Sequence, residues 1–197
     1  MRILITGTTG GIGSAIKSAA ISEKHEVVEV NRDSWEEFLS SEINVKFDAV
    51  VFATGTCPIR PLSLIDEKDF DETMRVNTGL FFRLVRKIVR DRLYSDNGTS
   101  IVAISSVSAT HGWAGGAEYC ASKGALSALC RSLNEELRTK KISVAALEPG
   151  YIKTKMFFNG AARMGVSPCE ALDPEEFAKT VLSTVSLPST NPAICSK

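Results

Sequence analysis

The sequence lacks an excess of charge of either sign: 23 Lys and Arg balance 23 Asp and Glu over 197 residues. A balanced chain offers no field to attract nucleic acid or an anionic membrane surface, so neither is expected as a partner. No apolar run approaches the length of a bilayer span. Cysteines are never paired as CxxC. The five, at positions 57, 120, 130, 169 and 195, are odd in number and scattered, which points to reduced thiols in a cytoplasmic protein and to no metal site. Met1-Arg2-Ile3-Leu4-Ile5 enters a strand at once, so no signal peptide is expected. Internal repeats, low-complexity tracts and interdomain linkers are missing as well. With 44% hydrophobic and 23% charged residues, the composition is that of one globular domain over residues 1–197. Asn97-Gly98-Thr99 fits a glycosylation sequon, but in the cytoplasm it is only a turn.

What is present is an alternation of short apolar runs and amphipathic stretches. Arg2 to Ile5 reads as a buried strand. It stops at Thr6-Gly7-Thr8-Thr9-Gly10-Gly11-Ile12-Gly13, and a helical pattern follows through Ile16, Ala19 and Ala20. Strand, glycine-rich turn and helix form the context of a dinucleotide site. Glycines let the backbone approach a pyrophosphate, and the helix N-terminus offers N–H groups and positive partial charge. Val27 to Val30 is a second strand, ending at Asn31-Arg32-Asp33. Ser34 followed by Glu37 predicts a capping box at a short helix. Phe47 to Ala53 is a third strand, closed by Thr54-Gly55. The periodicity then predicts one long helix from about Glu67 to Leu93, with Phe70, Met74, Leu80, Phe81, Leu84, Val85 and Ile88 on its apolar face.

Ser100 to Ser105 and Ile142 to Leu147 read as further strands. Between them a helix from about Gly116 to Lys140 carries Tyr119 and Lys123. Residues 151–172 look irregular, as a substrate loop would, and Met156, Phe157 and Phe158 either form an apolar lid or pack on the core. Asp173-Pro174-Glu175-Glu176 is a helix start, with Phe177, Val181, Leu182 and Val185 as its stripe. The fold expected is α/β, a single doubly wound, Rossmann-like parallel sheet of about six strands with helices on both faces. Ligands then bind at the carboxyl ends of the strands.

Tyr119 and Lys123 are one helical turn apart, and a nearby ammonium favours phenolate over phenol. A tyrosine so tuned can pass a proton. Ser106 is either a strand cap or a partner of that tyrosine, and Asn77 either a tolerated helix residue or part of the same set. His111 and Trp113 either line a substrate pocket or pack the loop. Cys120 reads as a small buried residue rather than a nucleophile, since no base is evident beside it.

Taken in order, these motifs resemble the short-chain dehydrogenase/reductase family, classical type, in a shortened form. Thr6-Gly7-x-x-x-Gly11-x-Gly13 is similar to its nucleotide motif, and Ala53-Thr54-Gly55 stands where the family has Asn-Asn-Ala-Gly. Asn77, Ser106 and Tyr119-x-x-x-Lys123 resemble its catalytic tetrad, and Pro149-Gly150-Tyr151-Ile152-x-Thr154 its Pro-Gly motif. The resemblance spans roughly residues 1–156. It implies a hydride transfer between a nicotinamide cofactor and a carbonyl or alcohol, most simply reduction of a small or medium apolar ketone or aldehyde. Tyr119 would be the general acid/base, Ser106 would hold the substrate oxygen, Lys123 would hold the nicotinamide ribose, and Asn77 would anchor a water.

Cofactor contacts are implied for Gly7, Thr9, Gly11, Ile12, Gly13, Asn31, Arg32, Ala53, Thr54, Gly55, Tyr119, Lys123, Pro149, Gly150, Ile152 and Thr154. Asn31 replaces the acid that marks NAD sites and Arg32 can pair a 2′-phosphate, so NADP(H) is favoured, with NAD(H) as the alternative. Against this, Asp33 follows directly, and Gly10 stands where many NADP-binding relatives carry a base. The interval after Arg32 is short, so the family's edge strand is expected to be missing or merged, leaving the order 2-1-4-5-6 in family labels. Ala193-Ile194-Cys195 is a poor seventh strand. A homodimer through the two long helices is implied. A dinucleotide-binding sensor on the same fold is the reading from another class.

Overall fold

The computed structural model describes residues 1–164 and 167–187. Five strands, β1 Arg2–Thr6, β2 Glu26–Val30, β3 Ala49–Phe52, β4 Thr99–Ile104 and β5 Ile142–Leu147, form one sheet. All neighbours are parallel, in the order β2-β1-β3-β4-β5. This is the order expected from the sequence, with the edge strand missing. Between β2 and β3 only a 3₁₀ turn, Arg32–Ser34, and one short helix, α2 Trp35–Ser40, make the crossover. The candidate seventh strand at 193–195 lies outside the described residues.

The strands are apolar on both faces because helices cover both. Ile3, Ile5, Ala49, Val51, Val102 and Ile104 point toward α1 (Gly11–Ser22) and α7 (Pro174–Val185), where Ile16, Phe177, Val181, Leu182 and Val185 are buried. Leu4, Val50, Phe52, Ile101 and Ala103 point the other way, into a core completed by Trp35, Phe38, Phe81, Leu84, Ile88 and Leu126. The latter side is closed by α2, α4 (Leu80–Arg90) and α5 (Ala117–Leu137).

Three local expectations are corrected. Ser34 does not cap α2; its hydroxyl turns back to accept the Asn31 N–H at 2.9 Å and closes the preceding 3₁₀ turn instead. The predicted Glu67–Leu93 helix is not uniform. It runs as α3 Glu67–Met74, a π-helical segment Arg75–Gly79, then α4, and stops at Arg90, while Phe70 faces solvent. The 151–172 stretch is not irregular throughout, because α6 spans Lys155–Met164. At the start of α7, Asp173 occupies the N-cap position without capping through its side chain, which pairs with Lys153 at 3.0 Å.

Candidate active site

The five strands end within one residue of each other along one edge of the sheet, Thr6 beside both Val30 and Phe52, Phe52 beside Ala103, and Ile104 beside Leu147. The residues that follow these ends, Gly7, Asn31, Ala53, Ser105 and Glu148, therefore gather along one edge. Gly7 has φ +70°, and a Cβ there would stand 2.8 Å from the Ala53 carbonyl oxygen. At Gly13 a Cβ would run into the Gly7 carbonyl. The β1–α1 turn is thus as tight as glycine permits. Helix α1 begins after Gly10 with no side-chain cap, so its first-turn N–H groups and positive end face outward. Such a cradle fits a pyrophosphate. Gly11 lies against Thr154, where a Cβ would come within 2.7 Å of the methyl, so the Pro-Gly segment closes over the glycine turn. Ile152 is buried and bridges to Leu172, while Gly150 is exposed.

At the tip of β2, Asn31 is half-buried and Arg32 exposed. The sequence reading overlooked Glu29. Its carboxylate is held by Lys17 at 2.7 Å and by the Thr8 hydroxyl, and these two bonds keep it well below the usual carboxylate pKa. Thr8 Oγ1 also lies 3.0 Å from Asn31 Oδ1. One hydroxyl proton serves both acceptors in turn, tying the glycine turn to the end of β2.

The tetrad candidates come together. Asn77 is fully buried within the π-helical segment. Its Oδ1 accepts the Thr56 N–H at 2.8 Å, and its Nδ2 donates to Thr56 O at 2.9 Å and to Ser122 Oγ at 2.8 Å. That amide is committed to pinning the loop after β3 onto α5. A π bulge inside a helix commonly marks a functional position, since it rotates one residue out of the α-helical register. Gly55 sits where the amide and the lysine converge: a Cβ there would lie 3.3 Å from Asn77 Oδ1 and 3.5 Å from Lys123 Nζ. Thr54 Oγ1 donates to Thr6 Oγ1 at 2.9 Å, which fixes the other side of the loop.

Lys123 is buried and its Nζ donates to Ile104 O at 2.8 Å. Desolvation pushes its pKa down to about 8. The Nζ stands 5.7 Å from the centroid of the Tyr119 ring, over its face rather than at its hydroxyl. This corrects the expectation that Lys123 lowers the tyrosine pKa. Burial raises Tyr119 above the ordinary phenol value, the nearby Cys57 thiol adds to the rise, and a side-chain hydrogen bond from Ser106 opposes them. Ser106 itself is buried, and its Oγ accepts the Ser108 N–H at 3.1 Å, so it is cap and tyrosine partner at once.

Around this centre, Trp113 donates Nε1–H to Ser108 Oγ at 3.1 Å and lies against Gly116 with its ring 6.4 Å from that of Tyr119. His111 is exposed. Phe157 is buried between Tyr151 and Phe158, with ring separations of 5.7 and 5.4 Å, whereas Met156 and Phe158 are exposed. Helix α6 therefore does both things left open by the sequence: one aromatic anchors it and two apolar side chains face outward. Cys57 was not anticipated. Its thiol lies close to Lys123, Cys120 and Tyr119, and burial pushes it up to about 11, so it is a neutral neighbour at physiological pH. Nothing beyond its position after Gly55 marked it in the sequence.

Comparison with known proteins agrees with this geometry. A family profile described as "short chain dehydrogenase" matches residues 34–165. The chain is 31% identical over 179 residues to the 3-oxoacyl-[acyl-carrier-protein] reductase FabG of Rickettsia typhi, covering 78% of this chain and 73% of that protein. In fold it is similar to 4-hydroxyisoleucine dehydrogenase complexed with NADH, with a TM-score of 0.79 at 21% identity over 94% of this chain and 90% of that one. It is equally similar to a putative 2-deoxy-d-gluconate 3-dehydrogenase from Agrobacterium tumefaciens with bound NADP, with a TM-score of 0.80 at 23% identity over 93% and 87%.

Proposed function

The chain belongs to the short-chain dehydrogenase family of NAD(P)-dependent oxidoreductases, and we propose that it reduces a carbonyl compound with Tyr119 as the general acid. The observation that carries this reading is the convergence of Ser106, Tyr119 and Lys123 beside Gly55, with Asn77 holding the loop. A bound nicotinamide supplies the hydride; the protein supplies the proton and the field. The Tyr119 phenol is protonated at neutral pH, as any phenol is, and so has a proton to donate to an oxygen gaining charge. Ser106 shares that phenol's hydrogen bonding and stabilises the same developing charge. Lys123, anchored on Ile104 O, keeps N–H donors that would hold the ribose of a bound nicotinamide cofactor. Met156 and Phe158 give the substrate side an apolar rim, which suits an apolar ketone or aldehyde. The free thiols at 57, 120, 130 and 169 suit a reducing cytoplasm.

Replacing Tyr119 by Phe should abolish turnover while leaving dinucleotide affinity within about twofold, because the hydroxyl is needed only for the proton. A panel of ketones, aldehydes and alcohols followed by nicotinamide absorbance checks both this and the substrate class. A variant with full turnover sinks the assignment. Dinucleotide binding without turnover on the whole panel would instead favour a sensor.

The cofactor is NADP(H) in this reading. Glu29, the one carboxylate on β2 near the ribose end, is paired with Lys17, and exposed Arg32 makes no ion pair within 4 Å among the described residues, though its charge is felt by Glu72. Arg32 is therefore available to a 2′-phosphate. Arg32→Ala should cost about 1.5–3 kcal/mol with NADPH, roughly tenfold to a hundredfold in kcat/KM, and little with NADH. Equal losses with both cofactors, or a wild type that prefers NADH, would remove Arg32 from that role.

A further inference from the structure

Glu118, the residue before Tyr119, is fully buried in the first turn of α5. A carboxylate removed from water needs compensation, and here it comes from two other segments. Thr73, in the last turn of α3, donates Oγ1–H to Glu118 Oε2 at 3.0 Å. Arg60, in the connection between β3 and α3, places Nε 3.0 Å from Glu118 Oε1, an ion pair off the N–H direction, since that oxygen accepts no hydrogen bond. The same guanidinium pairs with Asp69 on α3. The Arg60 backbone N–H donates to Gly115 O at 3.1 Å, one residue before the N-cap of α5. Thr73 in turn stands two residues before the π-helical segment that carries Asn77.

We propose that Glu118 is a positioning residue, which through Arg60 and Thr73 locks the first turn of α5, and with it Tyr119, against the Asn77 segment. The inference rests on the reading of Tyr119 as the acid. Other contacts of Tyr119 lie elsewhere: Trp113, Ser106 and Lys123 on its own helix or the β4 side, Cys57 on the loop after β3, and its carbonyl, through the Ser122 hydroxyl, on Asn77 of the π-helical segment. None of them ties it to α3. Without the clamp the first turn of α5 loses its contacts with α3, and what remains on that side are the bonds from Asn77 and Thr78 to Ser122, about one turn further along the helix. Displacements of about 1 Å in a reacting group can cost up to a hundredfold in rate.

The variants are Glu118→Gln, which keeps shape and drops the charge, and Thr73→Val, which keeps every charge and removes the hydroxyl anchor. The carbonyl probe is ethyl 3-oxobutanoate with NADPH. Glu118→Gln should lower kcat about tenfold and Thr73→Val about threefold, with KM and dinucleotide Kd within about twofold, since the clamp touches neither ligand.

A second readout needs no substrate. With three tyrosines in the chain, the ultraviolet phenolate titration of wild type minus Tyr119→Phe isolates Tyr119. Cys57, Cys120, Ser106 and Lys123 face that phenol and stay in place in both variants. In each, the Tyr119 titration should move down toward the ordinary phenol value as the ring gains solvent. If both variants melt earlier yet keep wild-type kcat and titration, the network only stabilises the fold and the inference is wrong. Should Glu118→Gln fail to fold, Thr73→Val decides alone. If Tyr119→Phe retains turnover, the proposed reaction falls first, and the titration still decides whether Glu118 places the ring.

Discussion

At the scale of single residues, the candidate site holds its acid and its base away from their ordinary values by the same means, burial. Lys123 is the clearer case for stability. Below about pH 8 it is charged in the folded and the unfolded chain, and the full cost of burying that charge is present. Between pH 8 and its unfolded value near 10.4 the folded chain gives up the proton while the unfolded chain keeps it, so stability rises with pH across that window. The shift from 10.5 to about 8 corresponds to a penalty of about 3 kcal/mol at neutral pH. Loss of the 2.8 Å bond to Ile104 O offsets about 1 kcal/mol of it. Lys123→Met should therefore be inactive yet melt about 4–8 °C above wild type at pH 7. The gap should close by pH 10. Thermal scans of both proteins at the two pH values check this; the Cys57 thiol, pushed up to about 11, stays largely protonated in the folded chain at both. A variant less stable than wild type at pH 7 would mean that the Ile104 bond outweighs desolvation.

At the scale of elements, the sequence was legible wherever a periodic pattern met a hard steric or electrostatic requirement. The glycine turn, the parallel strands, the crossover shortened to one helix and the buried stripe of α7 all follow from runs and spacings that few alternatives fit. What escaped has a common cause. The π-helical segment Arg75–Gly79 differs from an α-helix by one hydrogen-bond register, and no side-chain period encodes that. It is held by tertiary bonds from Asn77 to Thr56 and Ser122, distant in sequence. The capping box at Ser34 failed because its hydroxyl had a nearer partner in the Asn31 N–H. Helix α6 carried a start signal that went unread, Thr154, whose Oγ1 accepts the Phe157 N–H at 3.3 Å, and Phe157 then anchors it by packing. The direction of the Tyr119 shift was misread because spacing puts Lys123 on the right face but not at the right height: the ammonium lies over the ring. Glu118 carried a readable signal, an acid between Gly116 and Tyr119 on a helix otherwise rich in small residues, but its partners Arg60 and Thr73 come together only in the fold.

At the scale of the whole molecule, α4 and α5 form one outer layer over the sheet, and each exposes apolar side chains beside charged ones such as Arg86 on α4 and Arg131 on α5. Ala117, Ala121 and Ala128 are exposed along α5, and Phe82 on α4 is 49% exposed. Small residues admit close approach of a second helix, and a phenylalanine beside them gives that approach a driving force. A two-fold axis would bring each such layer against its copy, so every contact counts twice and the assembly closes. Burying the exposed half of Phe82 on both protomers contributes about 1.5–3 kcal/mol before the cost of association. We expect a homodimer at micromolar concentration by sedimentation velocity, and a monomer for Phe82→Asp, because the apolar contact at the axis is lost and a hydrated carboxylate takes its place. The exposed Phe70 on α3 should be irrelevant to assembly, so Phe70→Ser should remain dimeric. The same layer contains the first turn of α5, so the monomeric variant should also lose part of its turnover while keeping its dinucleotide affinity. A wild type that sediments as a strict monomer or as a stable tetramer would contradict this arrangement, and a dimeric Phe82→Asp would place the interface elsewhere.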